Sequence, residues 1–182
     1  MAPGLVVAAP GSGSGKTTVT LGLLRHLRGR GSAVSSFKVG PDYIDPAFHR
    51  AASGRPCHNL DVWAMRPATL AALVRTVSAG AELVIGEGVM GLFDGAADDT
   101  GSTADLSALT GWPVLLVIDA WGQAASAAAV VRGFMSHRDD VAIAGVLFNR
   151  IGGAGHARIL RRACAELDVP VVGCLPRLES LA

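Results

Sequence analysis

The chain has 182 residues, half of them hydrophobic, with 16 basic and 15 acidic residues. That length is typical of one domain with a sizeable core. The nearly balanced charge argues against a broad nucleic-acid surface, and no apolar run reaches the ~18 residues that span a bilayer. The three widely spaced cysteines form neither a metal-binding pattern nor a disulfide framework. We expect one cytoplasmic domain, residues 1–182, that binds neither nucleic acid nor membrane.

Short apolar runs alternate with segments of helical spacing along the chain. Strands are predicted over residues 5–9, 33–37, 83–86, 114–118, 143–148 and 171–174, and helices over 16–30, 67–79, 103–109, 123–136 and 154–167. The apolar runs are continuous, as buried parallel strands are. The alternation predicts an α/β fold, a parallel sheet with helices on both faces.

A glycine-rich segment, Pro10-Gly-Ser-Gly-Ser-Gly-Lys-Thr-Thr18, lies between the first strand and the first helix. This layout is typical of a P-loop, in which backbone N–H groups and a helix N-terminus cradle phosphates. Pro10 stands where the usual motif has glycine, and the alternative is a flexible turn with a solvated lysine. The candidate nucleotide-binding residues are Gly11, Ser12, Gly13, Ser14, Gly15, Lys16, Thr17 and Thr18.

Two long loops, residues 38–66 and 87–102, follow the second and third predicted strands. Loops of such length in a compact domain are usually functional or disordered. Ligands of open α/β sheets bind beyond the carboxyl ends of the strands. Both loops and the glycine loop therefore point to one edge of the sheet.

The first long loop holds Lys38, Asp42 and Asp45. These aspartates could cap backbone N–H groups in turns, or bind Mg²⁺ and position a substrate near the terminal phosphate. Beside a P-loop we favour the second interpretation.

The second long loop begins with Glu87, where P-loop enzymes commonly carry a metal-binding acid, and also contains Asp94. A glycine-rich turn is the alternative for both. Asn149 and Arg150 follow the fifth strand and are candidates for contact with a nucleotide base, although Arg150 could equally form a surface ion pair. The five histidines show no metal-binding spacing, so we expect structural or solvent-facing roles for them.

Several strings together resemble the cobyrinic acid a,c-diamide synthase family across nearly the whole chain. They are Phe37-Lys-Val-Gly-Pro-Asp-Tyr-Ile-Asp-Pro46, Gly54-Arg-Pro-x-x-Asn-Leu-Asp61, Glu87-Gly-Val-Met-Gly-Leu-Phe-Asp-Gly95 and Gly101-Ser-Thr103. The resemblance implies a P-loop fold like that of dethiobiotin synthetase. It also implies ATP- and Mg²⁺-dependent amidation of the a and c carboxylates of a corrinoid, through an acyl phosphate, in cobalamin biosynthesis.

The resemblance further implies a glutaminase domain as nitrogen source. No such segment follows in this chain, so we expect a separate glutaminase or free ammonia to supply the nitrogen. A corrinoid is large, so it should lie across the open sheet edge and against a second subunit of a homodimer. Two alternatives stay open, namely a partitioning or switch ATPase and a dethiobiotin-synthetase-like carboxylase.

Within that reaction the anionic groups need cations. Thr17 and Glu87 are the best predicted Mg²⁺ ligands, and Asp42 or Asp45 is expected to complete the set directly or through water. Lys38 is expected to attract the substrate carboxylate or a phosphoryl oxygen, and Asp45 or Asp94 to hold or deprotonate ammonia.

Overall fold

In the computed structural model, residues 1–98 and 100–178 are described, and they form seven strands and six helices. The strands are β1 (Gly4–Ala8), β2 (Val34–Val39), β3 (Cys57–Leu60), β4 (Leu83–Glu87), β5 (Val114–Asp119), β6 (Ile143–Ile151) and β7 (Val171–Pro176). The helices are α1 (Lys16–Gly29), α2 (Asp45–Ser53), α3 (Pro67–Ser78), α4 (Thr103–Thr110), α5 (Ala127–Ser136) and α6 (Ala154–Ala163). The strands form one parallel sheet in the order β3-β2-β4-β1-β5-β6-β7.

Alternating side chains of the central strands divide the core into two layers. Val6 belongs to a cluster that includes core residues of α3, α4, α5 and α6, whereas Val7 packs in a cluster with Val19 and Leu24 of α1. Successive residues of a strand point to opposite faces, so an uninterrupted apolar strand must be covered on both sides. The predicted α/β class, with helices on both faces, is confirmed.

Strand β1 is central, between β4 and β5. The glycine loop connects β1 to α1, and strands β4 and β2 end beside this loop. The sheet order therefore brings the glycine loop and the ends of β2 and β4 to one edge.

The predicted loop over residues 38–66 was wrong in its interior, because it contains α2 and β3. Pro46 lies in the first turn of α2, where its missing N–H costs nothing. Strand β3 has the sequence Cys-His-Asn-Leu and lies at the sheet edge, so it lacks the apolar run that marks a buried strand.

Other boundaries also differ from the expectation. Lys38 lies within β2, Glu87 is the last residue of β4, and Asn149 and Arg150 lie within β6 rather than after it. Helix α5 begins at Ala127, not at residue 123. The predicted loop 87–102 and domain 1–182 include residues 99 and 179–182, which lie outside the described residues. No helix in the described part of the chain has the length and apolarity to cross a membrane.

Candidate functional site

The glycine loop curls at the amino end of α1. Gly13 and Gly15 have φ of 76° and 94°, a left-handed conformation that glycine adopts without strain. A Cβ on Gly15 would clash with Asn149 Nδ2, which donates to the Ser14 carbonyl at 3.0 Å. Among the described residues no side chain caps α1. The first N–H groups of α1 are thus available to an anion.

Lys16 is 8% exposed and folds back over this loop. Its Nζ donates to the Gly11 carbonyl at 3.0 Å and to the Met90 carbonyl at 2.6 Å. Burial and the nearby charge of Lys38 lower the pKa of Lys16, against the opposing influence of Glu87 and Asp94. The ammonium therefore bridges the glycine loop and the loop after β4, where it can meet a phosphate.

Lys38 and Glu87 are paired in register across β2 and β4. Their side chains are 5% and 0% exposed, and Lys38 Nζ lies 2.9 Å from Glu87 Oε1. Lys38 Nζ also donates to Asp45 Oδ2 at 2.7 Å and to the Gly88 carbonyl at 3.3 Å. Burial disfavours the charged lysine, but the hydrogen bond to Asp45 and the charge of Glu87 outweigh it and raise the pKa of Lys38.

Glu87 accepts hydrogen bonds on both carboxylate oxygens. Thr17 Oγ1 donates to Oε1 at 2.5 Å, and His49 Nε2 lies 2.7 Å from Oε2. Burial alone would raise the pKa of Glu87, but the hydrogen bonds from His49 and Thr17 and the charge of Lys38 lower it below its ordinary value. Glu87 is therefore a buried carboxylate held in its charged form.

Asp42 faces the same cavity with one oxygen. Its Oδ1 accepts from the N–H groups of Ile44 and Asp45 at 2.8 and 2.9 Å, and its Oδ2 lies 3.8 Å from Lys38 Nζ. Asn59 Nδ2 holds the loop by donating to the Gly40 and Asp42 carbonyls at 2.9 and 2.7 Å. Asp42 Oδ1 thus caps backbone N–H groups in the turn that leads into α2, as the alternative interpretation had it, and Oδ2 is directed toward the charged cluster.

A cavity of about 430 Å³ lies between the glycine loop and these charged groups. Its lining includes Ser12, Gly13, Gly15, Lys16, Thr17, Lys38, Asp42, Glu87, Met90 and Arg150. Most of the predicted phosphate and metal residues are therefore brought together around one space.

Asp94 is not among the residues that line this cavity. It is exposed, and its Oδ2 accepts from the Gly91 N–H at 2.8 Å. Thr103 holds the same loop, because its hydroxyl accepts from the Val89 N–H at 3.1 Å. Asp94 therefore shapes the loop that supplies the Met90 carbonyl, and its predicted role with ammonia stays a prediction.

A second cavity, of about 400 Å³, lies on the other side of Gly15. It is lined by Gly15, Thr18, Asp119, Trp121, Asn149, Arg150, Leu175, Pro176, Arg177 and Leu178. Arg150 Nη1 lies 2.6 Å from Asp119 Oδ2. The ion pair that was the alternative role for Arg150 therefore forms, in the wall of this cavity. The guanidinium of Arg177 lies 4.8 Å from the centre of the Trp121 ring. This cavity has the apolar and polar lining that a nucleotide base needs.

The residues present fit a magnesium ion that also binds phosphate. In the described residues, no three His, Cys, Asp or Glu side chains form a cluster suited to hold a metal by themselves. Mg²⁺ is commonly bound by one or two carboxylates together with substrate phosphates. Thr17 and Glu87, in direct contact beside Lys16, supply a hydroxyl and a carboxylate for such a site.

Four contributors to the site were missed or undervalued in the sequence. These are His49, Asn59, Trp121 and Arg177. A signal for His49 was present, since it follows Asp45 by four residues and would share its face of a helix. It was hidden because the segment was interpreted as a loop.

The strand, glycine loop and helix, with a buried carboxylate at the next strand end, define a P-loop nucleotide-binding domain. The signal recognition particle receptor FtsY from Elizabethkingia anophelis shares the fold, with a TM-score of 0.66 and 17% identity over 94% of this chain and 57% of that chain. The hydrogenase maturation factor HypB from Archaeoglobus fulgidus aligns with a TM-score of 0.58 and 10% identity, over 96% of this chain and 81% of that chain. At these identities the likeness shows the fold alone.

Residues 5–182 match the CobQ/CobB/MinD/ParA nucleotide binding domain family, and the chain belongs to this family. Hydrogenobyrinate a,c-diamide synthase from Brucella anthropi is 56% identical over 180 residues, which are 98% of this chain and 41% of that protein. The enzyme of the same name from Rhizobium meliloti is 55% identical over 172 residues, 94% of this chain and 40% of that protein. The family resemblance and the nucleotide-binding class predicted from the sequence are confirmed. The chain spans about two-fifths of the length of these relatives.

Proposed function

We propose that this chain is the ATP-dependent synthetase part of a hydrogenobyrinate or cobyrinate a,c-diamide synthase acting in the cytoplasm in cobalamin biosynthesis. The single observation that carries the proposal is the 56% identity to such a synthase along 98% of the chain. The geometry supports it, because two buried lysines, Lys16 and Lys38, line one cavity beside a glycine loop. One cation suits the ATP phosphates, and a second suits a carboxylate acceptor.

The first step joins two anions. A carboxylate oxygen of the acceptor attacks the γ-phosphorus of ATP, and the bond to the departing ADP oxygen breaks, leaving an acyl phosphate. Lys16 and the loop N–H groups stabilise charge on the phosphoryl oxygens, and Lys38 orients the attacking carboxylate. Mg²⁺, held by Thr17, Glu87 and Asp42, would supply further positive charge to the phosphates when bound.

The second step forms the amide. Ammonia attacks the acyl carbon, the bond to phosphate breaks, and the nitrogen loses a proton. Asp45, whose carboxylate lies 2.7 Å from Lys38 Nζ, is the better situated proton acceptor, and Asp94 is the other candidate. We propose that a glutaminase domain or free ammonia supplies the nitrogen.

The acceptor is expected to lie across the open edge near α2. Tyr43, Ile44 and Phe48 are exposed there, and Trp63 is exposed as well. Large exposed apolar side chains suit the faces of a macrocycle or the surface of a second subunit. We therefore propose a corrinoid substrate at this edge, in a homodimer.

The proposal is tested by incubating the purified chain with ATP, Mg²⁺, ammonium and one candidate acid at a time. The candidate acids are hydrogenobyrinic acid, cobyrinic acid and nickel sirohydrochlorin. Product is followed by mass spectrometry as the small mass decrease that accompanies each replacement of a hydroxyl by an amino group. The expected result is a diamide from at least one acid, formed together with ADP and phosphate.

The controls separate the competing functions. Lys16→Ala, with the same acids, should give no amide. Product from diaminopelargonic acid and bicarbonate, with no amide from any tetrapyrrole, would assign a dethiobiotin-synthetase-like function instead. ATP hydrolysis without any coupled product would favour a switch ATPase.

A further inference from the structure

His49 contacts the central carboxylate of the site but was not among the predicted site residues. Its ring is fully buried, and Nε2 lies 2.7 Å from Glu87 Oε2. Asp45, four residues earlier on α2, contacts Lys38, the partner of Glu87. Residues four apart lie on the same face of a helix. One face of α2 therefore supports both members of the buried Lys38–Glu87 pair.

The surroundings of His49 indicate which ring nitrogen carries the hydrogen toward Glu87. Cys57 Sγ lies 3.6 Å from His49 Nδ1. Burial raises the pKa of the Cys57 thiol to about 11, so the thiol keeps its hydrogen at neutral pH and can donate it to Nδ1. We assign the remaining ring hydrogen to Nε2, which then donates to Glu87.

The two oxygens of Glu87 consequently have different neighbours. Oε2 is directed toward His49, whereas Oε1 is directed toward the Thr17 hydroxyl and Lys38 Nζ, on the side of the cavity. A carboxylate on its own can turn about its terminal bond. With one oxygen held by a buried donor, the rotation of the group is defined.

We propose that His49 is a positioning residue, which holds Oε2 of Glu87 so that Oε1 faces the phosphate cavity and its metal ion. The inference rests on the proposed Mg²⁺–ATP function and adds a residue to that site. A hydrogen-bond partner behind a metal-binding side chain typically changes metal affinity by about 10- to 100-fold. His49 acts through Glu87 and contacts neither phosphate nor metal itself.

The test compares two amide variants that differ in reach. In His49→Gln, the side-chain amide can place an N–H donor near the position of Nε2, whereas the shorter His49→Asn cannot reach Glu87. Mn²⁺ serves as the probe, and its binding in the presence of a non-hydrolysable ATP analogue is measured by electron paramagnetic resonance. Binding of the analogue without metal and the free energy of unfolding are measured in parallel.

We expect His49→Asn to weaken Mn²⁺ binding at least about tenfold and His49→Gln to restore most of that loss. Metal-free binding of the analogue should change less than about twofold, since the glycine loop is not touched. Cys57→Ala is the third variant, because it removes the donor at Nδ1 and leaves Nε2, and we expect a smaller effect than that of His49→Asn.

Wild-type Mn²⁺ affinity in folded His49→Asn would overturn the inference. Equal loss in the Asn and Gln variants, in step with lost stability, would also overturn it, because His49 would then only pack the interior. Failure of the wild-type chain to bind Mn²⁺ with the analogue would overturn the proposed function itself. The two failures are thus distinguished by the wild-type measurement.

Discussion

The two cavities at the carboxyl edge of the sheet are built in different ways. On the phosphate side, Lys38 and Glu87 are buried within neighbouring strands and satisfy one another. On the other side, Arg150 and Asp119 form an ion pair whose side chains are 43% and 31% exposed, and Trp121 is 62% exposed. Gly15 and Arg150 line both cavities.

The difference follows from the energetics of burial. A buried charge that loses its partner costs several kcal/mol, whereas an exposed ion pair contributes about 0–1 kcal/mol. The phosphate side is therefore an interdependent network in which each substitution affects several groups. The cavity lined by Asp119 and Trp121 should tolerate substitution better, and changes there should alter mainly the affinity for the nucleotide.

The largest effect is expected for Lys16→Ala. Lys16 is the cation nearest the glycine loop, and its removal should reduce ATP turnover at least about 100-fold. Its own hydrogen bonds go to two loop carbonyls, so folding should be kept. Turnover by initial rates and secondary structure by circular dichroism check this, with Arg25→Ala on the exposed side of α1 as control. Undiminished turnover in a folded Lys16→Ala chain would remove Lys16 from the site.

Glu87→Gln should lower both activity and stability. The amide keeps the shape, but it removes the charge opposite Lys38 and an acceptor for Thr17 or His49. We expect turnover to fall about 10- to 100-fold and unfolding free energy to fall by about 2 kcal/mol. Urea denaturation and Mg²⁺ titration of turnover measure both, and Asp119→Asn on the exposed side is the matched control. Equal stability losses for the two variants would mean that burial does not distinguish the two sides.

The stability difference between wild type and Glu87→Gln should also depend on pH. The pKa of Glu87 is lowered in the folded chain, so the unfolded chain takes up a proton first as pH falls. The stabilisation by Glu87 is complete at pH values well above its ordinary pKa of 4.5. It is lost as the pH falls through the lower pKa that Glu87 has in the folded chain. Urea midpoints of both chains between neutral and acidic pH should converge on acidification. A gap that is constant with pH would contradict the charged state assigned to Glu87.

The smallest effect is expected for Trp121→Ala. Trp121 is exposed and stacks with Arg177, so its removal should raise the KM for ATP by about three- to tenfold through loss of an aromatic contact. Turnover at saturating ATP and the thermal midpoint should stay near the wild-type values. Steady-state kinetics test this, and a fall in kcat with unchanged KM would place Trp121 in the chemistry instead.

Local patterns in the sequence were sufficient for the glycine loop. Its recognition needed only an apolar run, the spacing of Gly11 to Thr17, and a helical segment, all within neighbouring residues. Lys38 and Glu87 were each selected because they lie at the ends of apolar strands. Their contact could not be predicted, since it depends on the register of β2 against β4.

The segment after β2 shows why the rest of the candidate site could not be predicted from the sequence. Asp45, Pro46 and His49 have the composition of a turn, but helix α2 is stabilised by packing on α1 and β2. The helix then directs Asp45 and His49 toward a pair of residues that lie on two other elements. Asp94 was selected from the sequence because it lies beside conspicuous motifs; it accepts from the Gly91 N–H of its own loop, and its role with ammonia stays a prediction.

The sequence by itself determined the α/β class, the phosphate-binding loop and the family, because these depend on periodicity and on residues close together in the chain. Only the tertiary structure decided that Glu87 is shared among Thr17, Lys38 and His49. Those partners come from α1, β2 and α2, and they meet because a parallel sheet brings its strand ends and the covering helices to one edge. A buried carboxylate needs several donors at once, and side chains from separate elements can supply them only after the core has packed.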